Sequence, residues 1–320
     1  MKQKSANNKS FNEFMKKTGI FWVLVALIVI MSFANSAFLT PRNLLNVTKQ
    51  ASITTIIGVG MTFVLITGGI DLSVGSVMAL SGTLAAATAV TDKGIPLVVT
   101  ILVGISIGSF CGMLNGLGVA YVGFPPFIMT LGMMTIARGI AMVYTNGTPI
   151  FGLSSSFNSM TSSTLLGIPS LVYYMLVVFI IGYIILNKTV FGRRIYAIGG
   201  NMEAAKLSGI AVSRLIVLVY TISGFLSGLA GILICSRITS GNATVASGYE
   251  MNAISSAVIG GVSMSGGSGS VVGTIIGALI LTIIQNSFDI MGINSFYQDV
   301  IKGIIILLAV FLDIRGKKKV

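Results

Sequence analysis

The fold is decided by residues 60–82, which read GMTFVLITGGIDLSVGSVMALSG. This stretch begins as an apolar run, breaks at Gly68-Gly69, carries the carboxylate of Asp71 and continues as a second apolar run. A carboxylate near membrane depth is costly and by default marks a functional site, and broken helices of this kind often line transport paths. The alternative is a short turn between two spans in which Asp71 caps the second helix near the headgroups. The two interpretations are compatible if the turn lies at the inner mouth of a path.

The composition is that of a membrane protein. Of the 320 residues, 54% are hydrophobic and only 9% are charged, whereas a soluble domain carries about 25% charged residues. The mean hydropathy is +0.96. The 39 glycines suit helices that pack backbone to backbone through small residues. The sequence therefore predicts an all-α polytopic membrane protein with broken, Gly-rich helices.

Several function classes are excluded by the residues that the sequence lacks. The net charge of +12 is explained by basic residues at span ends and in loops, so no nucleic-acid partner is expected. Cys111 and Cys235 both lie in apolar runs, and no structural disulfide is expected. The sequence has no histidine, the usual proton shuttle and commonest metal ligand, and no metal site is predicted. Without a G-x-x-x-x-G-K-[ST] phosphate loop, any use of ATP must occur on another chain.

Ten membrane spans are predicted from the apolar runs. The first is interpreted as an uncleaved anchor rather than a signal peptide, and Pro41 opens a short helix before the second. The spans are 20–38, 51–67, 72–90, 95–119, 127–144, 170–186, 214–235, 251–264, 270–288 and 300–312. The eighth and tenth are short of the ~20 residues that a spanning helix needs. The predicted organisation is an N-terminal tail (1–18), a transmembrane domain (19–313) containing a charged connection (187–213), and a basic C-terminal tail (314–320).

The orientation follows from the distribution of positive charge. Most of the 20 basic residues lie in residues 1–18, 187–214 and 314–320. An even number of spans places these three regions on one side, which the positive-inside rule makes the cytoplasm. We therefore expect a cell-membrane protein with both termini in the cytoplasm.

Asn115 and Arg138 are polar residues inside the fourth and fifth predicted spans. A glycine recurs every fourth residue from Gly104 to Gly116, which indicates a close-packed helix face, and Asn115 lies beside it. Arg138 lies within the fifth span. One interpretation is that Arg138 snorkels towards the outer interface; the other is that it donates to substrate hydroxyls or to a buried carboxylate.

A faint internal echo relates the first break to a second one. Residues 68–73 (GGIDLS) resemble residues 260–265 (GGVSMS), and Gly75-Ser76 matches Gly267-Ser268 in the same register. Duplicated halves are common in transporters. Small residues recur in any membrane chain, so chance is the alternative explanation.

The connection at 199–210, GGNMEAAKLSGI, predicts a short helix on the cytoplasmic face. Asn201 can cap its start, residues 203–207 favour helix, and Gly209 can end it. A stubby helix between glycines suits docking into a groove on a partner. The alternative is a plain amphipathic connector on the membrane surface.

Three segments together resemble the permease subunit of ribose-type ABC sugar importers. They are ITGGIDLSVGSVMALSG at 66–82, E-A-A-x-x-x-G at 203–209 and AISSAVIGGVSMSGGSGSVVGTIIGALI at 253–280. The resemblance covers nearly the whole chain and implies a ten-span permease that works as a homodimer. It also implies a cytoplasmic ATPase that holds ATP and Mg²⁺, an extracytoplasmic sugar-binding protein and a monosaccharide substrate. No cofactor is expected in this chain.

The resemblance also assigns residues. Glu203, Ala204, Ala205 and Gly209 match the segment that couples to the ATPase, and Gly200 and Asn201 begin the same segment. Gly68, Gly69, Asp71, Ser73 and Gly75 match the signature after the second span, and we place them with Asn115 and Arg138 along the translocation path. The sequence departs from other ABC importers at 210–213, IAVS, which lacks the proline that often follows the coupling glycine.

Two rival functions are weighed against this one. An ion- or proton-coupled transporter needs several intramembrane carboxylates or histidines, and this chain offers Asp71, with Asp289 and Asp299 near a surface. An integral membrane enzyme needs paired carboxylates, metal ligands or a nucleophile with its base, and no such set occurs in facing loops.

Overall fold

The structure, a computed structural model, describes residues 19–294, 296–304, 307 and 311. The two predicted tails and most of the last predicted span beyond residue 304 lie outside the described residues. The helices are α1 (Gly19–Ala34), α2 (Pro41–Ile66), α3 (Val74–Thr88), α4 (Leu97–Leu117), α5 (Pro126–Thr145), α6 (Ser155–Ser162), α7 (Ser170–Lys188), α8 (Val190–Gly200), α9 (Met202–Leu207), α10 (Val212–Ile238), α11 (Tyr249–Ile259), α12 (Val271–Ile290) and α13 (296–304).

Three smaller elements complete the described chain. A 3₁₀ turn, Thr91–Lys93, follows α3, and a π-helical turn, Gly118–Val122, extends α4. The strands β1 (Thr164–Leu165) and β2 (Ile168–Pro169) form a two-stranded antiparallel hairpin. The connection between α5 and α7 thus contains the short helix α6 and this hairpin.

The helices fit a polytopic membrane protein. A helix lies at each of the ten predicted span positions. Among the residues that the structure describes, six helices are long and apolar enough to cross a membrane: α2, α4 with its π turn, α5, α7, α10 and α12. Helices α1 and α3 are shorter and apolar. Helix α11 has 11 residues, about 16 Å at 1.5 Å per residue, against a hydrocarbon core of about 30 Å. The number of ten spans stays a prediction.

Helix α2 differs from its prediction. It is one continuous helix of 26 residues from Pro41, not a short helix followed by a span that begins at residue 51. Proline at the first helical position starts the helix, and no further proline or glycine interrupts it before Gly58. The polar turns at 46–50 therefore continue the helix, which spans about 39 Å.

Helix α2 is also the centre of the bundle. It is buried without interruption from Ala51 to Ile66 and packs against α7, α10, α11 and α12. Polar groups on such a helix need partners inside the protein. Thr62 Oγ1 lies 2.6 Å from Thr274 Oγ1 on α12. Asn43 and Asn286 exchange two amide hydrogen bonds of 2.9 and 2.8 Å.

Helices α4 and α10 cross at their glycines, which confirms the close-packed face that the four-residue spacing predicts on α4. Gly108 faces Gly224 and Gly228, and Gly112 faces Gly224. A Cβ atom on Gly108 would lie 2.7 Å from the Cα atom of Gly228, a separation that real side chains do not show. The glycines thus permit two backbones to touch where larger residues would force them apart.

The connections between helices gather at two ends of the bundle. At one end, the residues after α2, the helices α8 and α9 and the loop between α11 and α12 lie together. At the other end, Val90 pairs with Leu153 and Ile150 with Gly241 in isolated β-bridges. The first end carries the basic 187–214 connection and is the end predicted to be cytoplasmic.

Candidate coupling and translocation site

The first break ends α2 by a recognisable glycine motif. Gly68 has a φ of +79°, a left-handed conformation that glycine adopts without steric penalty. Its N–H donates to Leu65 O (2.9 Å), and the N–H of Gly69 donates to Val64 O (3.1 Å). These are the two hydrogen bonds of a Schellman motif. The sequence break at Gly68-Gly69 is therefore a true helix end.

Asp71 is held inside the protein immediately after this helix end. Its side chain is 1% exposed. Oδ1 accepts hydrogen bonds from the N–H (3.0 Å) and hydroxyl (2.6 Å) of Ser73, and Oδ2 accepts one from the Ser223 hydroxyl on α10 (2.8 Å). No lysine or arginine of the described ranges forms an ion pair with it. Asp71 stabilises the turn before α3 and ties it to α10; Ser73, not Asp71, occupies the N-cap position.

Helices α4 and α10 supply further contacts to the same turn. Asn115 Nδ2 donates to Ser73 Oγ (2.9 Å), while Asn115 Oδ1 is buried with no donor among the described residues. The Tyr220 hydroxyl donates to Ile70 O (3.1 Å). The predicted Asn115 thus joins Asp71 and Ser73 in one polar cluster. Tyr220 and Ser223 were not predicted, because an isolated Tyr or Ser in an apolar run carries no local signal.

Arg138 lies away from this cluster. Its Nη1 donates to the main-chain oxygens of Ala243 (2.5 Å) and Val245 (2.9 Å), which belong to the connection after α10. Glu250 is close enough to interact with it electrostatically. The half-buried Arg138 points towards the end that is predicted to be outer. Its hydrogen bonds are accepted by main-chain carbonyls, and neither interpretation of the sequence predicted these acceptors.

Most of the predicted path residues are enclosed by protein in the described chain. Gly75 contacts Ala246 O and the carboxylate of Glu250, where a side chain would collide. Gly69, Asp71, Ser73, Gly75 and Asn115 are buried, Gly68 is exposed and Arg138 is intermediate. The buried residues of this set therefore hold the helices beside the break in place.

The predicted coupling segment forms helix α9, as expected. Asn201 Oδ1 accepts from the N–H of Ala204 (2.9 Å), so the predicted cap is confirmed. Gly209 has a φ of +79° just after the helix, so the predicted stop is confirmed as well. Ala205 is buried and packs with Ile198 and Leu215. The other predicted coupling residues, Gly200, Asn201, Glu203, Ala204 and Gly209, are exposed.

An exposed cavity lies beside α9. It has a volume of about 860 Å³ and runs between α9, the first residues of α10 and the connection between α4 and α5. Glu203, Lys206 and Arg214 bring charges of both signs to its wall, and Tyr121 and Phe124 bring aromatic surface. A helix that presents exposed Met202 and Leu207 beside such a cavity is typical of an interaction surface.

The structure brings together three glycine pairs that the sequence keeps far apart. Gly199 at the end of α8 packs on Ile66 O, the last residue of α2, and on the N–H of Gly267. The same N–H of Gly267 donates to Ile66 O (2.9 Å). Gly266 lies against Gly199 and the N–H of Gly68. We call Gly68, Gly199, Gly266 and Gly267, with Ile66 O, the glycine junction.

Tyr196 adds a side-chain tie next to the glycine junction. Its hydroxyl on α8 donates to Gly269 O (2.6 Å). Burial raises the pKa of the Tyr196 phenol, so the neutral form that donates this hydrogen bond persists well above neutral pH. Helix α8 is thereby fixed to the loop between α11 and α12.

Comparison with known proteins gives a consistent set of relatives. Residues 43–310 match the family described as branched-chain amino acid transport system / permease component. The chain is 47% identical over 305 residues to the ribose import permease protein RbsC of Bacillus subtilis (strain 168), with 95% of this chain and 94% of the relative covered.

Two further relatives extend this set. Identity to the ribose import permease protein RbsC of Escherichia coli (strain K12) is 42% over 294 residues, with 91% of each chain covered. Identity to the galactose/methyl galactoside import permease protein MglC of the same organism is 37% over 324 residues, with 96% of each chain covered. No solved structure matches this chain.

Proposed function

The chain belongs to the family described as branched-chain amino acid transport system / permease component, and on this premise we propose that it is the membrane permease of an ATP-driven sugar importer. The observation that carries the proposal is the identity of 47% to a ribose import permease over 95% of the chain. The proposed substrate is a monosaccharide, ribose or a related sugar.

The chemistry of the bundle suits a neutral, hydroxyl-rich substrate. Serine, threonine and asparagine side chains can exchange hydrogen bonds with sugar hydroxyls, as donors and as acceptors. An ion relay needs several charged groups. The fully buried carboxylate at the first break is that of Asp71, tied by two serine hydroxyls, and Glu250, which lies against Gly75, is close to Arg138. Selection of the sugar is proposed to rest on an extracytoplasmic binding protein, so that the permease path binds its substrate weakly.

The energy source is proposed to be a separate ATPase, which holds ATP and Mg²⁺. Helix α9 is proposed to dock on that subunit, because it exposes Glu203 and Ala204 while Ala205 anchors it to the bundle. The working complex is proposed to contain two permease copies in the cell inner membrane, with both termini in the cytoplasm.

The residues at the first break are proposed to flank the translocation path. In this proposal, Gly68, Gly69, Asp71, Ser73 and Gly75, with Asn115, set the position of α3 against α4 and α10, and Arg138 fixes the outer connection. Movement of α9 shifts these helices and opens the path on alternate sides. A partner drives such a shift only through contacts that differ between the two states.

The proposal is tested by reconstitution. The permease and its ATPase are placed in proteoliposomes with ATP and Mg²⁺ on the side of α9, and the binding protein and radiolabelled ribose on the other side. We expect ribose to accumulate only when all components and hydrolysable ATP are present. Leucine serves as the matched control, because the family description names branched-chain amino acids.

Two outcomes would overturn the proposal. Accumulation by the permease alone under an ion gradient would identify a secondary transporter. ATP-driven uptake of leucine but of no sugar would identify an amino-acid importer. Weighing the copurified complex checks the number of permease copies independently of the substrate.

A further inference from the structure

The glycine junction is a contact of main chain on main chain. A Cβ atom on Gly199 would overlap Ile66 O and the N–H of Gly267, and one on Gly266 would lie 2.9 Å from the Gly68 nitrogen. Gly68, Gly266 and Gly267 also have φ values of +79°, +84° and +76°, which side chains disfavour. The segments touch without any intervening side chain that could absorb a displacement by changing its rotamer.

The glycine junction is joined to α9 by a short, well-bonded route. Gly199 and Gly200 are the last residues of α8. The N–H of Asn201, the residue before α9, donates to Ala197 O on α8 (3.0 Å). Ile198 on α8, Ala205 on α9 and Leu215 on α10 pack in one buried cluster. Tyr196 holds α8 to Gly269 O at 2.6 Å. A shift of α9 therefore reaches Gly199 through bonded and close-packed groups alone.

Both broken segments meet at the glycine junction. On one side, Ile66 and Gly68 lead into the turn at 67–73, which Asp71 connects to α10. On the other side, Gly266 and Gly267 belong to the loop at 260–270 between α11 and α12. The hydrogen bond from Gly267 N to Ile66 O (2.9 Å) joins the two segments directly.

We propose that the glycine junction transmits the displacement of α9 to both breaks at once, with Gly199 as the positioning residue. This inference rests on the proposed function. Packed, close-fitting contacts switch between discrete arrangements rather than deforming continuously, so one input at Gly199 moves the ends of α2 and α12 together. The close fit of Gly199 at the glycine junction then determines how much sugar is transported per ATP hydrolysed. The affinity of α9 for the ATPase does not determine this ratio.

The test compares sugar transported per ATP hydrolysed in the reconstituted complex. For Gly199→Ala we expect this ratio to fall roughly 3- to 30-fold, with normal copurification of the ATPase and with retained ATP hydrolysis. Gly132→Ala is the matched control, because Gly132 lies in helix α5 with no atom near its Cβ position, and its ratio should equal that of the unmodified complex. An unchanged ratio for Gly199→Ala would overturn the inference.

If the complex with Gly199→Ala fails to assemble, a second variant tests the inference. Tyr196→Phe removes one hydroxyl and its hydrogen bond to Gly269 O without adding an atom, so the fold is retained. We expect a roughly two- to tenfold lower ratio, and an unchanged ratio would overturn the inference. Unmodified complex that shows no ATP-driven uptake would overturn the proposed function and this inference with it, whereas normal uptake with insensitive variants would overturn the inference alone.

Discussion

The two breaks meet at Gly199 yet are built in different ways. The first, at 67–73, is fixed by side chains: Asp71 accepts from Ser73 and Ser223, and Tyr220 donates to Ile70 O. The second, at 260–270, contains no charged residue and relies chiefly on main-chain hydrogen bonds, such as Ser263 N to Ser268 O (3.0 Å) and Gly267 N to Ile66 O (2.9 Å).

The helices that lead into the two breaks differ as well. Helix α2 has 26 residues and helix α11 has 11. Gly68 and Gly261 are the left-handed glycines that follow them, whereas the sequence echo pairs Gly68 with Gly260. The echo therefore marks two helix ends of similar composition, and the loops that follow have different lengths and different bonding.

The two breaks are therefore sensitive to different kinds of substitution. A turn held by side chains is weakened when a hydrogen-bonding group is removed. A loop held by main-chain contacts tolerates that change and is disrupted when an atom is added.

The largest effect is expected from adding atoms to the second break. Gly267→Val places a branched side chain at a φ of +76°, with its Cβ 3.1 Å from the Gly200 backbone, and sugar uptake should fall more than about tenfold. Gly94→Ala is the control, because Gly94 has a φ of +59° and no neighbour at its Cβ position. Uptake by Gly267→Val equal to that by Gly94→Ala would show that the contact at Gly267 is unimportant.

The next largest effect is expected from changes to α9, which test whether its displacement reaches both breaks. Glu203→Trp and Gly209→Leu change the exposed face and the stop of α9 without touching either break. Sugar uptake should fall roughly tenfold while ATP hydrolysis and membrane insertion persist, because a coupling free energy of about 1–3 kcal/mol is typical between two linked sites. Normal ATPase binding together with normal uptake would refute the coupling role of α9.

Removal of the carboxylate should affect the first break specifically. Asp71→Ala leaves the donors of Ser73 and Ser223 unpaired inside the protein, and we expect about 2–5 kcal/mol lower stability, read as a lower Tm of the detergent-solubilised protein. Asp71→Asn keeps a hydrogen-bonding side chain of the same size, so its Tm should stay close to that of the unmodified protein.

The Asp71→Asn variant also separates structure from transport. Lower uptake with an unchanged Tm would show that the carboxylate itself is needed. Unchanged uptake would leave Asp71 as a purely structural residue of the turn.

The smallest effect is expected for one hydrogen bond at the first break. Tyr220→Phe removes the donor to Ile70 O and should lower stability by about 1 kcal/mol. Tyr173→Phe is the control, because its hydroxyl donates to Leu165 O in the exposed hairpin, where water replaces the lost partner. Equal effects of the two variants would argue that Tyr220 does not stabilise the break.

The sequence predicts the elements that depend on neighbouring residues. Helix α9, its cap at Asn201 and its stop at Gly209 follow from local propensity, and the Gly104–Gly116 spacing predicts the close-packed face of α4, although not its partner α10. The full length of α2 was missed, because polar turns beyond the apolar core lower the hydropathy of a segment without ending its helix.

The contacts between distant segments could not be predicted from one sequence. Glycine pairs carry no side chain that would indicate their partner, so the meeting of Gly199 with Gly267 has no local signal. The acceptors of Arg138 are main-chain oxygens, which every residue possesses. Asp71 was recognised because a carboxylate in an apolar run is conspicuous, but its partner Ser223 was not.

A contact formed by main-chain atoms does not depend on which solute is transported. The contacts of Gly199 with Ile66 O and the N–H of Gly267 run between peptide groups, and these are the same whichever solute is carried. Side chains elsewhere in the bundle can therefore vary with the chemistry of the solute while the glycine junction keeps one shape.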